Sequence, residues 1–232
     1  IRLGGVSGDV SQVWLSRVIS ELGILETEVL KAYKTISSSY EWRDNLSFHL
    51  LSKSTATTHS LTGPAARAAG LNIDYRKIMP YYFYKDIEFE IPVGTNGSVF
   101  DLLSIRFEEI FQSFNIIVQV LDNLPTGRCM NKEFTEFTIS EKMNITDENI
   151  YREKVKELYQ MKNFDEGHII EGSNGLVGLT CLYQNNSIER IKLLSNELYL
   201  KGLFEQSIKD KDKNLIELFW TTLAINMKTI ER

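Results

Sequence analysis

Residues 61–110 read LTGPAARAAGLNIDYRKIMPYYFYKDIEFEIPVGTNGSVFDLLSIRFEEI. Four tyrosines and three arginines fall between glycine and proline breaks in this stretch. Pro64 suits the first turn of a helix, where the missing N–H costs nothing, and Gly70 ends that turn. Pro80 and Pro92 remove backbone donors and restrict the residues before them, so no regular helix is expected across 80–92. Gly94 and Gly97 make a tight turn. Asp101 then opens the strongest helix of the chain, about 101–123. Leu103, Phe107, Ile110, Phe114, Ile117 and Leu121 recur there at alternating spacings of four and three, a clean apolar stripe. A helix this apolar needs neighbours on more than one side, as in a bundle core. LPTG at 124–127 ends it.

Before this stretch, IRLGGVSGD is a glycine-rich loop. Asp9 is a candidate cap for a helix over Val10–Leu22, with Val10, Trp14, Val18 and Leu22 on one face and Gly23 as its stop. A second helix is expected over Leu25–Ser37, with Val29, Tyr33 and Ile36 inward. Residues 40–60 give no firm pattern. After the stretch, 131–167 is highly charged and reads as a solvated helix plus loops, with Thr146 capping a helix to about Met161. HIIE (168–171), VGLTCLY (177–183) and IERIKLL (188–194) read as strands, with QNNS (184–187) as a turn, giving a small antiparallel sheet. Helices are expected over roughly 196–209 and 214–230. The fold class is α+β, mostly α, with one small sheet.

The chain has 232 residues, a formal charge of −5 and a pI near 5.4. That balance argues against a nucleic-acid surface. Apolar runs are broken well before the roughly 18 residues that a membrane span needs. Cys129 and Cys181 are the only cysteines and form no CxxC. A disulfide framework, a cysteine-held metal and an iron–sulfur site are therefore not expected. His49, His59 and His168 have no metal-ligand spacing. The chain starts at Ile1 without a targeting pattern, which reads as a fragment, a processed product or a partial chain. Abundant Asn, Ile, Lys, Tyr and Phe with scarce Ala fit an AT-rich genome such as an organelle's.

Arg67, Asp74, Arg76, Tyr81, Tyr84, Asp101 and Arg106 admit two readings. They are ion pairs and hydroxyls that brace loops, or they line a polar cavity. GTNG does not have the spacing of a phosphate loop. Asp74, Asp101, Glu108 and Glu109 are the nearest carboxylates for the arginines. Bidentate pairing would pin the loops of 63–100 to the start of the long helix.

These residues carry a resemblance. GPAARAAGLNIDYRKIMPYYFYKDIEFEIPVGTNGSVFDLLSIRFEEIFQSFNIIVQVLDNLPTG is similar to the 49-kDa subunit of respiratory complex I. The family pattern runs through Arg-Ala-x-Gly, Asp-x-Arg-Lys, Pro-Tyr-x-x-Tyr, Pro-Val-Gly, Glu-Glu, Gln-Ser and Pro-x-Gly in this order. IRLGGVSGD resembles the family's Arg-Pro-Gly-Gly-Val-His-x-Asp, IEGSNGLVGL (170–179) its Ile-Glu-Ala-Pro-Lys-Gly-Glu-Phe-Gly, and the final ER its terminal Asp-Arg. The likeness covers only the second half of the family protein. The histidine and tyrosine that bond the quinone headgroup in the family lie in the other half. Departures are Ser7 for histidine, Ser98 for aspartate, Leu102–Leu103 for Arg-Tyr and Ser173–Asn174–Gly175 for Pro-Lys-Gly. The family's C-terminal elements are not recognisable in KNLIELFWTTLAINMKTIER.

The resemblance implies a helical bundle of the nickel–iron hydrogenase large-subunit type. It implies one C-terminal portion over 1–232, with a family-like core at 61–128 and a divergent part at 129–232. It implies a role in proton-pumping NADH:ubiquinone oxidoreduction, supporting the quinone cavity, with the seven residues above as structural or cavity-wall groups. Catalytic, cofactor-binding and metal residues are not expected in this chain, while the complex uses FMN, iron–sulfur clusters and ubiquinone. The implied partners are the other complex I subunits, above all the one carrying the terminal iron–sulfur cluster and a chain carrying the N-terminal half. The implied place is the matrix side of the mitochondrial inner membrane, or the cytoplasmic face of a bacterial membrane. One alternative is a non-catalytic assembly module that keeps the fold. A relative of the nickel–iron hydrogenase large subunit is another, but that enzyme holds its metals with two CxxC pairs, which are absent here.

Overall fold

The structure, a computed structural model, describes residues 5, 6, 8–48, 50–125, 127–129, 163–185 and 187–195. The first helix, α1, runs unbroken over Gln12–Ser38. Two helices split at Gly23 were expected. The apolar phase explains the difference: Leu15, Val18, Leu22, Val29, Tyr33 and Ile36 are the half-buried positions and form one stripe through Gly23. A glycine stops a helix by turning left-handed past its end, and Gly23 instead sits inside the helix with open space where its Cβ would be. Ser11 is the cap, its Oγ accepting from the Trp14 amide at 3.2 Å, while Asp9 bonds only the neighbouring Val10 amide. Val10 and Trp14, expected inward, are exposed.

Residues 40–60 fold into two short helices, α2 (Tyr40–Leu46) and α3 (Lys53–Thr58), capped by Ser39 and Ser52. The helix α4 covers Gly63–Ala68 with Pro64 in its first turn, and α5 covers Tyr75–Ile78. Across 80–92 the only helical element is a single 3-10 turn at Tyr84–Asp86, as the prolines demand. The long helix α6 spans Val99–Asp122. It begins two residues earlier than expected because Ser98, not Asp101, is the cap. Ser98 Oγ accepts from the Asp101 amide at 3.0 Å, and Asp101 Oδ2 accepts from the Ser98 amide at 3.0 Å.

Two small apolar clusters hold these helices together. Leu51, Ala56, Leu61, Ala66 and Ala69 form one, and Ala68, Leu102 and Ile105 the other, with Leu50 packed against both. On α6 the deepest positions are thus Leu102 and Ile105, facing α4. Of the expected stripe, Phe114 is buried and Phe107 meets Tyr33 of α1 at a ring-centroid distance of 5.0 Å, while Ile110 and Ile117 are exposed. The helix is contacted on more than one side, by α4, α1 and α2.

The sheet has three antiparallel strands in the order β1 (Phe164–Gly172), β2 (Gly175–Gln184), β3 (Ser187–Ser195). All three expected strands fall within these. The β1–β2 ladder pairs Gly172 with Gly175 and continues to Phe164 opposite Tyr183. Residues 164–167, read as part of a solvated charged segment, therefore belong to a strand. The helices expected at 146–161, 196–209 and 214–230 lie outside the described residues.

Candidate functional site

Arg67 is the hub of a polar cluster where α4, α5, α6 and the β1–β2 hairpin meet. Its side chain is 2% exposed. Nε donates to Glu109 Oε1 at 2.9 Å and Nη2 donates to the same oxygen. Nη1 donates to the Ile73 carbonyl at 2.8 Å and to Glu171 Oε1 at 3.0 Å. Asp74 Oδ2 stands 3.7 Å from Nη1. A guanidinium suits this position because its planar fork donates in several fixed directions at once. Glycines let the backbones close around it. Gly63 has φ +69°, and a Cβ there would lie 2.4 Å from Gly175 Cα of the hairpin. A Cβ on Gly94 would lie 2.7 Å from the Ala68 carbonyl.

Asp74 caps α5. Its Oδ1 accepts from the Arg76 amide at 2.9 Å, and Oδ2 accepts from Arg76 Nη2 at 2.6 Å. Burial pushes the Asp74 carboxyl up, but the bonds and charge of Arg76, aided by Arg67, outweigh it and hold the group below the ordinary aspartate value. Burial likewise works against the charge of Arg76, and Asp74 more than restores it. The Arg76 guanidinium lies 4.7 Å from the Phe89 ring centroid and 5.8 Å from that of Tyr84. Tyr81 packs edge-on against Tyr84. Its hydroxyl accepts from the Glu171 amide at 3.1 Å and donates to the Glu171 carbonyl at 3.4 Å, and burial raises its pKa.

Glu171 is buried on β1, its side chain 3% exposed. Oε2 accepts from the Tyr75 amide at 3.2 Å. Burial pushes this carboxyl above its ordinary value, and the attraction of Arg67 only partly offsets that. Arg106 binds the hairpin tip: Nη2 donates to Asn174 Oδ1 at 2.7 Å and Nη1 to the Ser173 carbonyl. Burial, reinforced by the nearby Arg67 charge, lowers the pKa of Arg106. A cleft of about 370 Å³ opens over the cluster, lined among others by Arg67, Arg76, Tyr84, Arg106, Glu109 and Glu171.

Of the seven residues singled out in the sequence, Arg67, Asp74, Arg76, Tyr81, Tyr84 and Arg106 come together here. Asp101 does not. Its carboxylate is taken up by the capping box and the Asn96 amide at 3.0 Å. Among the four carboxylates near in sequence, Asp74 and Glu109 pair with the arginines, whereas Glu108 lies on the exposed side of α6. Glu171 escaped the sequence reading as a partner. It lies 104 positions from Arg67, and its one signal is its place in a stretch that resembles the family. Among the described residues, no three His, Cys, Asp or Glu side chains gather as metal ligands would, and both cysteines are free thiols.

Comparison with known proteins agrees with the resemblance. A NADH-quinone oxidoreductase subunit of Desulforamulus reducens is 38% identical over 129 residues, covering 55% of this chain and 35% of the relative. Another, of Bdellovibrio bacteriovorus and named with the double designation C/D, is 37% identical over 131 residues, covering 54% of this chain and 23% of the relative. The NADH-quinone oxidoreductase subunit of Flavobacterium psychrophilum is 28% identical over 191 residues, 76% of this chain and 44% of the relative. The chain thus spans less than half the length of these relatives. The model of the family described as "Respiratory-chain NADH dehydrogenase, 49 Kd subunit" matches residues 1–194, and with its glycine-packed arginine hub built from the residues of that match, the chain belongs to this family.

Proposed function

We propose that the chain is a subunit of proton-pumping NADH:ubiquinone oxidoreductase, in the quinone module of its peripheral arm, and that it braces the wall of the quinone cavity. Its kinship to proteins named as NADH-quinone oxidoreductase subunits supports the first part. The observation that carries the second is the Arg67 cluster. Each of its three guanidinium groups is bound to carboxylate or carbonyl oxygens of the chain itself, so the cluster joins three helices to a hairpin. Such a joint fixes geometry. The helices α1 and α6 belong, in this reading, to a bundle of the nickel–iron hydrogenase large-subunit type.

The whole complex uses FMN, iron–sulfur clusters and ubiquinone, none of them held by this chain. Its neighbours in this reading are other subunits of the complex, above all the one with the terminal iron–sulfur cluster. The double designation C/D of one relative supports close association with further subunits of the same enzyme. No helix among the described residues is long and apolar enough to cross a membrane. The reading seats the chain on a membrane arm made by others, at the matrix side of the mitochondrial inner membrane.

The test compares assembly with turnover. Arg76→Ala or Arg106→Ala lowers the amount of assembled complex on a native gel, while the quinone reductase activity per assembled complex changes less. Normal assembly with lost activity overturns the bracing role and makes these arginines catalytic-site groups.

A further inference from the structure

The segment 87–91, IEFEI, runs without turn or bend from the 3-10 turn to Pro92 and starts extended at Ile87, φ −107° and ψ 130°. Its side chains alternate as on a strand. Phe89 is buried, Ile87 and Ile91 are half-buried, and Glu88 and Glu90 are exposed. The Phe89 ring anchors the segment to α5, with Arg76 and Lys77 each 4.7 Å from its centroid. The helix α6 holds one backbone edge. Gln119 Oε1 accepts from the Glu88 amide at 2.9 Å, and Gln119 Nε2 donates to the Glu88 carbonyl at 2.6 Å. Gln112 Oε1 accepts from the Glu90 amide at 3.0 Å. The two glutamines lie about two helical turns apart and so share a face of α6. Their amides copy the bonds that a neighbouring strand makes.

The other edge is bare. In an extended chain the N–H and C=O of successive residues point to opposite edges. Those of Ile87, Phe89 and Ile91 therefore point away from the glutamines, and none has a hydrogen-bond partner among the described residues. A row of unpaired backbone groups on a fixed, extended segment is a template for another strand. The template is short. The turn at Tyr84–Asp86 precedes it, and Pro92, which has no amide, follows it.

We propose that 87–91 is a strand-docking edge whose occupant is an extended basic segment of a partner protein, with Lys or Arg at alternate positions. Charge selects this occupant. Glu88 and Glu90 stand on the exposed face and form no ion pair among the described residues. Basic residues on the incoming strand pair with them, whereas a second copy of this chain laid antiparallel sets glutamate against glutamate. Because Phe89 and the two glutamines already hold the segment extended, docking costs little ordering on this side. The inference goes beyond the bracing role. It adds a contact surface apart from the Arg67 hub and does not rest on the quinone reading.

Photo-cross-linking in the assembled protein, purified from its own cells with its partners, tests this without measuring quinone reduction. p-Benzoylphenylalanine in place of Val93, which is 38% exposed just past the edge, leaves both glutamates intact. The expected product joins this chain to a peptide of another protein that carries basic residues at alternate positions. The double variant Glu88→Lys, Glu90→Lys lowers the yield of that product at least about tenfold, the loss of roughly two exposed charge pairs. Ile91→Pro deletes an amide that has no partner in this chain and abolishes the product, while Ile91→Ala keeps it. A merely structural role moves those two variants alike. Hydrogen exchange on the wild-type assembly needs no variant. The Phe89 and Ile91 amides exchange at least about 100-fold slower than those of a free peptide, as paired amides do. Free-peptide rates there, no cross-link, a cross-link to a second copy or to this chain itself, or a partner peptide without basic residues overturns the proposal.

Discussion

Arg67 Nη1 and Glu171 Oε1 lie 3.0 Å apart although 104 positions separate them in the chain. Both side chains are buried, at 2% and 3% exposure. This pair closes the chain on itself: it ties a short helix near the start of the family-like stretch to the sheet that follows the long helix. Because Arg67 also serves Glu109, removing it strands more than one buried carboxylate. Breaking a buried pair costs about 3–5 kcal/mol, a large part of the roughly 5–15 kcal/mol that keeps a domain folded. Arg67→Ala therefore sharply reduces the steady-state level of the chain, measured by immunoblot. Arg67→Lys rescues little, because an ammonium lacks the planar fork.

Two glycine substitutions have opposite signs. Gly63→Ala places a methyl 2.4 Å from Gly175 Cα at a backbone φ of +69°. It costs at least about 1–3 kcal/mol in strain alone and pushes the hairpin off α4. Gly23→Ala puts a methyl into open space inside a helix and stabilises by about 0.5–1 kcal/mol. Thermal denaturation midpoints of the two variants, measured in the assembled protein, move in opposite directions.

Asp74 gives an acid-side test. Its folded pKa is held below the ordinary value, so its contribution to stability is present above the unfolded value near about 4 and is lost as pH falls through the folded one. Asp74→Asn lowers stability at neutral pH and flattens the loss of stability on acidification. A variant with an unchanged acid limb in pH-dependent denaturation contradicts this. Glu171 carries the opposite sign, so the two carboxylates are separable by pH alone.

The sequence made some of this visible and hid the rest for identifiable reasons. The long helix was legible because its apolar period continues from Leu103 to Leu121 between strong breaks, and the strands because turn residues punctuate them. Gly23 misled because a glycine marks a helix end only when the apolar phase also breaks, and here it does not. The short helices at 40–46 and 53–58 carry no apolar period to read, and their signal is the serine caps alone. Arg67, Asp74 and Arg76 stand close together in sequence, so their pairing was foreseeable, and Glu109 was reachable as a carboxylate on the next helix. Glu171 was not, because a contact made across a hairpin and a long helix leaves no local pattern. Asp101 is expected as a structural or cavity-wall group, and its place in a capping box was hidden because it depends on Ser98, three residues before it.

That reassignment is itself testable. Ser98→Ala and Asp101→Ala each remove half of the capping box of α6, at a cost of about 0.5–2 kcal/mol. Neither touches the Arg67 cluster. Both lower the denaturation midpoint modestly and, in the proposed role, leave quinone reductase turnover per assembled complex unchanged. Lost turnover at normal assembly returns Asp101 to the cavity wall.

The last expectation concerns the chain by itself. No residue of α1 is buried along its 27 positions. Val13, Trp14, Ile19, Ile24 and Leu25 are all more than 40% exposed on it, and Ile117 and Val118 of α6 add to the uncovered apolar surface. Among the described residues, the two apolar clusters beneath α3, α4 and α6 are built largely from alanines and a few leucines, which bury little apolar area. Exposed apolar surface of this extent drives association in water. Expressed alone, residues 1–232 therefore aggregate or form a loosely packed state without a cooperative transition. Size-exclusion chromatography with light scattering and a thermal scan decide it. A monodisperse monomer that unfolds in one cooperative step is the outcome that defeats the expectation, and it would mean that the exposed face of α1 needs no partner.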